Sequence, residues 1–167
     1  MVRIERATVQ GVQGIRNVLA VTWRDTYSSF LSESSIAKVT AEWHTPRVLE
    51  AEIVRASTFS GVARASETSE EIVGMITAHS RDELLVVTRL YVLPAYQRQG
   101  IGQRLMNASY LAFPGSLRVQ LDVEEQNPKG RAFYERVGFK EVGRKIDEVA
   151  GTKLQSIVME RRIRDAA

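Results

Sequence analysis

The chain has 167 residues, of which 44% are hydrophobic and 26% charged, with 11 Gly and 4 Pro. This composition excludes a disordered or fibrous protein, and the length suits one domain, residues 1–167, that folds without cross-links. Zero Cys and two His rule out disulfides, a cysteine nucleophile and the usual metal sites. The net charge of +3 is too small and scattered to indicate nucleic-acid binding.

The N-terminal segment shows no targeting signal. Arg3, Glu5 and Arg6 are charged where a signal peptide would need an apolar core. No uncharged apolar stretch approaches the roughly 20 residues that cross a membrane. We therefore expect a cytoplasmic protein without a membrane partner.

The N-terminal third predicts a short strand at residues 2–6 and three helices. We expect Thr8 to cap the first helix, either Ser32 or Ser35 to cap the second, and Pro46 to lie in the first turn of the third. The apolar residues at helical spacing in the first helix are Val12, Ile15, Leu19 and Trp23.

The rest of the chain alternates strands and helices. Further helices are expected at residues 100–113 and 128–137, the second ending at Gly138. The predicted strands lie at residues 57–64, 72–79, 84–93, 117–123, 139–147 and 154–162. This order predicts an α+β fold, with a mixed sheet and helices on its faces.

One segment is suited to binding an anion. No carboxylate occurs from Leu84 to Leu121, and residues 97–102 (Gln-Arg-Gln-Gly-Ile-Gly) lie there between a strand end and a helix start. Glycine lets a ligand approach the backbone, and the first helical amides lack internal partners at the positive end of the helix dipole. The segment predicts a phosphate or pyrophosphate site; the alternative is that its glycines only form a tight turn.

A second block follows at residues 121–139, with Asn127, a Phe-Tyr pair at Phe133 and Tyr134, and a Gly-Phe pair at 138–139. Together with Leu-Tyr-Val-Leu-Pro before the glycine segment, this block resembles the GNAT superfamily of acetyl-CoA-dependent N-acetyltransferases. The resemblance is strong over residues 72–139. It implies the GNAT fold, a mixed, mostly antiparallel central sheet of about seven strands with helices on both faces. It also implies acetyl-CoA as co-substrate and no metal.

The resemblance implies roles for the matching residues. Asn127 would hold the pantetheine arm of coenzyme A, Tyr134 would protonate or hydrogen-bond the departing thiolate, and Lys129 and Arg131 would contact the outer phosphates. The strand whose backbone pairs with the pantetheine arm contains Leu90, Tyr91 and Val92. The main-chain amides that would bind the pyrophosphate belong to Gln97, Arg98, Gln99, Gly100, Ile101 and Gly102.

The chemistry of acetyl transfer agrees with these roles. A phenol such as Tyr134 supplies a proton donor without adding charge, and the Val92 N–H is a candidate donor to the developing oxyanion. Because the chain has no cysteine, an acyl-cysteine intermediate is impossible, and the simplest route is direct attack of the amine on acetyl-CoA in a ternary complex. The alternative for Tyr134 is an ordinary core aromatic.

The sequence does not assign the general base. Many family members carry a Glu four residues before the Leu-Tyr-Val stretch, but this chain has Val86 there, and Glu83 lies too early. The remaining candidates are Asp122, Glu124 and His79.

The first two helices are expected to select the acceptor. Asp25 or Glu33 would attract a cationic amine. The aromatic residues that would wall an acceptor pocket, or else pack the helices onto the sheet, are Trp23, Tyr27 and Phe30. The Trp-x-x-Thr-Tyr pattern is also similar to polyamine acetyltransferases of the superfamily, although it occurs in other branches.

We therefore expect an enzyme that acetylates a primary amine, in a small molecule such as a polyamine or in a protein N-terminus or lysine. A closed aromatic pocket would indicate the small amine, and an open acidic groove the protein. The alternatives are a non-catalytic acyl-CoA sensor, favoured by Val86 and opposed by Tyr134, and a nucleotide-binding module. A free edge in the last two strands would permit a homodimer.

Overall fold

The computed structural model describes residues 1–165, in which seven strands and five α-helices alternate. The strands are β1 (Arg3–Arg6), β2 (Thr58–Arg64), β3 (Ile72–Arg81), β4 (Leu84–Val92), β5 (Arg118–Glu124), β6 (Lys140–Val149) and β7 (Thr152–Arg162). The helices are α1 (Val12–Tyr27), α2 (Glu33–Trp43), α3 (Pro46–Val54), α4 (Ile101–Ala112) and α5 (Pro128–Arg136). Short 3₁₀ helices precede α1 and follow β4.

The strands form one sheet in the order β1-β2-β3-β4-β5-β7-β6. All neighbours are antiparallel except β4 and β5. One buried cluster joins α1, α2 and α3 to one face of the sheet, and a second joins α4, with the apolar side of α5, to the other face. The predicted mixed, mostly antiparallel sheet with helices on both faces is confirmed.

The parallel strands β4 and β5 pair only near their starts. Leu84–Val87 lies beside Arg118–Leu121, while β4 continues to Val92 and β5 to Glu124. An irregularity against β3 at the same level leaves Thr88 as an extra residue in β4, and such a bulge bends its strand. We call the space between the unpaired ends of the two strands, residues 88–92 and 122–124, the β4–β5 gap.

The helix starts show which local predictions were right. Ser32, not Ser35, caps α2 by accepting a hydrogen bond from the Ser35 N–H at 3.1 Å. Pro46 begins α3 as expected. The expectation that Thr8 caps α1 is wrong, because a 3₁₀ turn at Val9–Gly11 comes first and Thr8 makes no side-chain capping bond.

None of the helices within residues 1–165 has the length and apolar composition of a membrane span. The sheet ends at β6, so one of the last two strands is an edge strand as the sequence predicts. A homodimer through this edge, a cytoplasmic location and the absence of a nucleic-acid partner stay predictions.

Candidate active site

The segment predicted to bind an anion is a loop that joins β4 to α4. Arg98 and Gly100 both have positive φ, +63° and +78°, and Gly100 is the N-cap residue of α4. Left-handed residues beside right-handed ones turn successive amides toward a common concave side, which suits an anion. The first amides of α4 add free donors to the same region. The backbone geometry therefore fits a pyrophosphate.

The two glycines of this loop have different roles. A Cβ on Gly100 would meet nothing within 4 Å, so the space above it is open to a ligand. A Cβ on Gly102 would lie 3.1 Å from Phe133 Cζ, so this glycine allows α4 to pack on α5. Gly100 thus serves the loop conformation and ligand access, whereas Gly102 serves helix packing.

The side chains of the loop mostly hold its shape. Gln97 Nε2 donates to the Val92 carbonyl at 2.9 Å, and Gln99 Nε2 donates to the Ala95 carbonyl at 3.4 Å. Ile101 is buried, and Arg98 is exposed. These contacts leave the main-chain amides as the groups that face a ligand.

The end of β4 directs alternate amides into the β4–β5 gap. The Leu93 N–H donates to the Val73 carbonyl of β3 at 2.8 Å. Because successive peptide groups of a strand point to opposite sides, the N–H groups of Leu90 and Val92 point away from β3 and into the gap. Two N–H groups, those of Leu90 and Val92, are therefore candidate donors to a carbonyl oxygen. The sequence analysis gave this role only to Val92.

Helix α5 begins beside the gap and places Asn127 and Tyr134 there. The Asn127 Oδ1 caps the helix by accepting from the Gly130 N–H at 3.0 Å. The Tyr134 ring packs between Phe133 and Phe139, with ring centroids 5.2 and 5.6 Å away. Burial raises the Tyr134 pKa well above its usual range, so its phenol stays protonated at neutral pH. A neutral phenol beside the gap can donate a proton to a leaving group.

Three polar side chains from different elements meet on the other side of the gap, and we call Tyr27, Tyr91 and Glu124 the tyrosine–glutamate cluster. The Tyr27 hydroxyl donates to Glu124 Oε2 at 3.3 Å and lies 3.3 Å from the Tyr91 hydroxyl. Since Tyr27 has one hydroxyl proton, Tyr91 is the donor of the second bond. Burial raises the pKa of Tyr91 to about 12 and also raises the pKa of Glu124 above its ordinary value.

The structure brings together only part of the predicted acceptor wall. Trp23 is 5% exposed and packs 4.2 Å from the Tyr27 ring, so it fits the alternative of a core aromatic. Phe30 lies edge-on to Tyr27 at 5.4 Å and is partly buried, which places it beside the cluster. Asp25 and Glu33 are both exposed, and Asp25 lies on the side of α1 opposite Trp23.

Carboxylates near the gap are partly paired with Lys145. Its Nζ lies 2.5 Å from Asp122 and 3.4 Å from Asp147. Asp122 and Glu124 are two residues apart on β5, so their side chains share one face of the sheet. His79, by contrast, lies on β3 and contacts the Thr58 hydroxyl at 3.0 Å and the Thr88 hydroxyl at 3.2 Å.

Lys129 and Arg131, the two residues expected to hold the outer phosphates, have different surroundings. Lys129 is exposed at the start of α5. The Arg131 guanidinium pairs with Glu135 at 2.8 Å and with Glu141 at 3.2 Å. No group of three His, Asp or Glu side chains in residues 1–165 is arranged to hold a metal ion.

The sequence analysis missed the side-chain role of Tyr91 and its link to Tyr27. It placed Tyr91 only as backbone on the pantetheine strand. Part of the link between Tyr91 and Tyr27 could be predicted from the sequence. Trp23 and Tyr27 lie four residues apart on one helix face. Strand alternation puts the Tyr91 side chain on the face of the sheet that this helix covers.

An amide-rich loop at a helix start, beside a gap between two parallel strands, is the arrangement that an acyltransferase using a phosphate-bearing thioester would need. A profile of the family described as the acetyltransferase (GNAT) domain matches residues 27–161, and the chain belongs to this family. It is therefore an acyl-CoA N-acyltransferase, and acetyl-CoA is its co-substrate. The predicted family, enzyme class and co-substrate are confirmed.

Similar proteins include acetyltransferases with different acceptors. The spermidine N(1)-acetyltransferase of Thermoplasma acidophilum is 29% identical over 146 residues, which cover 83% of this chain and 88% of that protein. The crystal structure of the PaiA N-acetyltransferase of Thermoplasma acidophilum in complex with coenzyme A has a TM-score of 0.85 at 25% identity, covering 98% and 99% of the two chains. The ribosomal-protein-S18-alanine N-acetyltransferase of Escherichia coli shares the fold, with a TM-score of 0.68 at 18% identity over 100% and 97%.

Proposed function

We propose that the protein transfers the acetyl group of acetyl-CoA to a primary amine of a polyamine, by direct attack in a ternary complex. The observation that carries this proposal is the group of carboxylates beside the gap, in which Lys145 already pairs with Asp122 and Asp147, together with the Tyr27 and Tyr91 rings that meet Glu124 on one side of it. This arrangement is the one that an ammonium group of the acceptor would need. A neutral acceptor would gain nothing from it.

The charge around Lys145 favours an acceptor with several ammonium groups. Asp122 and Asp147 both lie against Lys145, and Glu124 shares a face of β5 with Asp122, which places three carboxylates close together. A single lysine leaves this group of carboxylates with net negative charge. Because the side chains of the Lys145 pairs are 36% to 45% exposed, each ion pair with an acceptor would contribute only about 0.2–1 kcal/mol. The site thus favours a polycation through several weak contacts.

The walls of the site support a small acceptor over a protein segment. Val149 and Leu154, which flank the β6–β7 turn, share a buried cluster with Tyr27 and Leu31. The hairpin and the end of α1 therefore belong to one buried core, and an extended peptide would need the space between them open.

The comparison with spermidine N(1)-acetyltransferase also supports a polyamine. The relative that carries this name aligns over 83% of the chain at 29% identity. We therefore take spermidine as the first acceptor to test.

The residues of the site have distinct tasks in the transfer. The loop amides bind the pyrophosphate, and the Leu90 and Val92 N–H groups donate to the thioester oxygen as charge develops there. The amine nitrogen forms a bond to the acetyl carbon while the carbon–sulfur bond breaks. Tyr134 donates its proton to the departing sulfur.

The test is a thiol-release assay with acetyl-CoA and four acceptors: spermidine, butylamine, free lysine and a peptide with N-terminal alanine. We expect spermidine to have the highest kcat/KM, with one acetyl group added by mass spectrometry. An Asp147→Asn variant should raise the KM for spermidine about threefold to fivefold and leave that for butylamine unchanged.

A higher kcat/KM for the peptide would overturn the polyamine proposal. Acetyl-CoA binding without thiol release from any amine would instead favour the acyl-CoA sensor that Val86 suggested.

A further inference from the structure

We propose that Glu124 is the general base of the reaction and that Tyr27 is the residue that positions its carboxylate. This inference rests on the proposed acetylation of an amine. It fills the role that the sequence left unassigned, because Val86 stands where many family members carry a glutamate.

The register of the parallel strands brings Glu124 to the reacting end of the gap. Val87 lies beside Leu121 in the last pair of the β4–β5 ladder. Because Thr88 is an extra residue in β4, the residue level with Glu124, three positions beyond Leu121, is Tyr91, which lies between the two amides that point into the gap. The cluster with Tyr27 and Tyr91 shows that the Glu124 side chain is on the face covered by α1.

His79 lies too far along the sheet to act directly. It lies four residues along β3 from Met75, the partner of Tyr91, which corresponds to about 13 Å along a strand. Its two ring nitrogens already contact the hydroxyls of Thr58 and Thr88. Burial also lowers the His79 pKa.

The Asp122 side chain lies on the same face of the sheet as Glu124, but its charge is neutralised by Lys145. Its Oδ2 lies 2.5 Å from Lys145 Nζ, and it is two residues closer than Glu124 to the paired start of β5. The Lys145 ammonium group occupies this oxygen, so it is not free to take a proton from the acceptor amine. Glu124 has no lysine or arginine partner among the ion pairs of residues 1–165.

The surroundings of Glu124 suit a base that must accept a proton near neutral pH. Burial raises its pKa, Asp147 and Asp122 raise it further, and the hydrogen bond from Tyr27 lowers it. A carboxylate whose pKa is moved toward the working pH is a stronger general base. The titratable groups that face it are Tyr27 from α1, Tyr91 from β4, Tyr134 from α5, Asp122 from β5 and Asp147 from β6.

Glu124, as the base, and Tyr134, as the acid, account for every proton that moves in the transfer. Glu124 removes one proton from the substrate ammonium and later releases it to solvent. The neutral nitrogen attacks the acetyl carbon, and the carbon–sulfur bond breaks as Tyr134 donates its proton to sulfur. The second proton of the attacking nitrogen returns to Tyr134. The products are the N-acetyl amine and the free thiol.

The test compares Glu124→Gln with the wild type in the thiol-release assay, with spermidine and with hydroxylamine. Spermidine is cationic at pH 7.5 and needs a base, whereas hydroxylamine is already neutral there. We expect Glu124→Gln to lower kcat with spermidine by about 100-fold or more and kcat with hydroxylamine by less than about fivefold. Acetyl-CoA affinity, measured by calorimetry, should stay within about twofold and shows that the variant is folded.

Glu125→Gln is the matched control, because it removes the carboxylate next to Glu124 in the chain, and it should retain at least about a third of the wild-type kcat with spermidine. Asp122→Asn tests the competing candidate for the base. If Asp122→Asn shows the large loss and Glu124→Gln does not, the assignment is overturned. If wild type prefers another cationic amine, the polyamine proposal fails and the same variants test the base with that amine.

Tyr27→Phe tests the positioning role through the pH profile. Because the Tyr27 hydrogen bond lowers the Glu124 pKa, its removal should move the acidic limb of kcat/KM to higher pH. A structural role alone would lower kcat/KM equally at every pH. An unmoved acidic limb would therefore overturn the positioning role.

Discussion

Gly102 and Phe133 are in direct contact, since a Cβ on the glycine would lie only 3.1 Å from the Phe133 Cζ. This contact joins the first turn of α4, which carries the anion-binding amides, to the helix that carries Tyr134. The binding loop and the proton donor therefore share one packing contact. Adding a side chain at Gly102 should disturb both.

We expect Gly102→Val to lower the free energy of unfolding by about 1–3 kcal/mol, because the added atoms overlap with Phe133. Urea unfolding measures this change. The matched control is Gly115→Val, since a Cβ at Gly115 meets nothing within 4 Å and the change there should stay within about 0.5 kcal/mol. Equal effects of the two variants would show that the contact is unimportant.

Tyr134→Phe should lower kcat by about 100-fold and leave acetyl-CoA affinity within about twofold, because it removes only the proton donor. Steady-state thiol release and calorimetry measure the two quantities. Tyr110→Phe is the control, since it removes the hydroxyl of another buried tyrosine, on α4, that is given no part in the reaction, and its loss should not reduce activity. Normal turnover of Tyr134→Phe would remove Tyr134 from the mechanism.

Gly100→Trp should weaken acetyl-CoA binding more than about 30-fold, because the indole would fill the open space above the loop amides. Calorimetric titration measures the affinity. Gly151→Trp separates ligand blocking from backbone strain, since Gly151 also has a positive φ of +83° and an open Cβ position. If both variants lose affinity equally, or neither does, the pyrophosphate assignment is wrong.

His44 should make the protein less stable in mild acid. It is 2% exposed, and burial, with Arg89 and Arg16 nearby, lowers its pKa from 6.5 to about 4. The unfolded chain therefore binds a proton that the folded one does not, and stability falls as pH drops below 6.5 toward 4.

The corresponding measurement is urea unfolding of wild type and His44→Gln at several pH values. Between pH 7 and 5 the wild type should lose about 2 kcal/mol relative to the variant, because only the wild type carries this histidine. Parallel stability curves for the two proteins would contradict the expected linkage.

The sequence was most informative where function depends on the backbone. The glycine loop and the order of elements follow from local rules for turns and periodicity, and the structure has both. The Thr8 prediction failed because a 3₁₀ turn inserted before α1 satisfied the same local pattern.

The choice of base was beyond the sequence because it depends on distant partners. Asp122 and Glu124 are two residues apart and face the same way, so no local rule distinguishes them. Lys145 of β6 neutralises the first, and Tyr27, 97 positions from Glu124 in the chain, binds the second. Only the strand order and register reveal these contacts.

The position of β7 determines when during synthesis this site can form. On the edge that faces the gap, four residues of β5, Arg118–Leu121, pair with β4. On its other edge, all seven residues of β5 pair with residues 156–162 of β7. A growing chain that ends before β7 therefore has the loop, Tyr134 and Glu124, but a β5 without most of its hydrogen bonds. Coenzyme binding should consequently appear only after residues 156–162 have emerged from the ribosome.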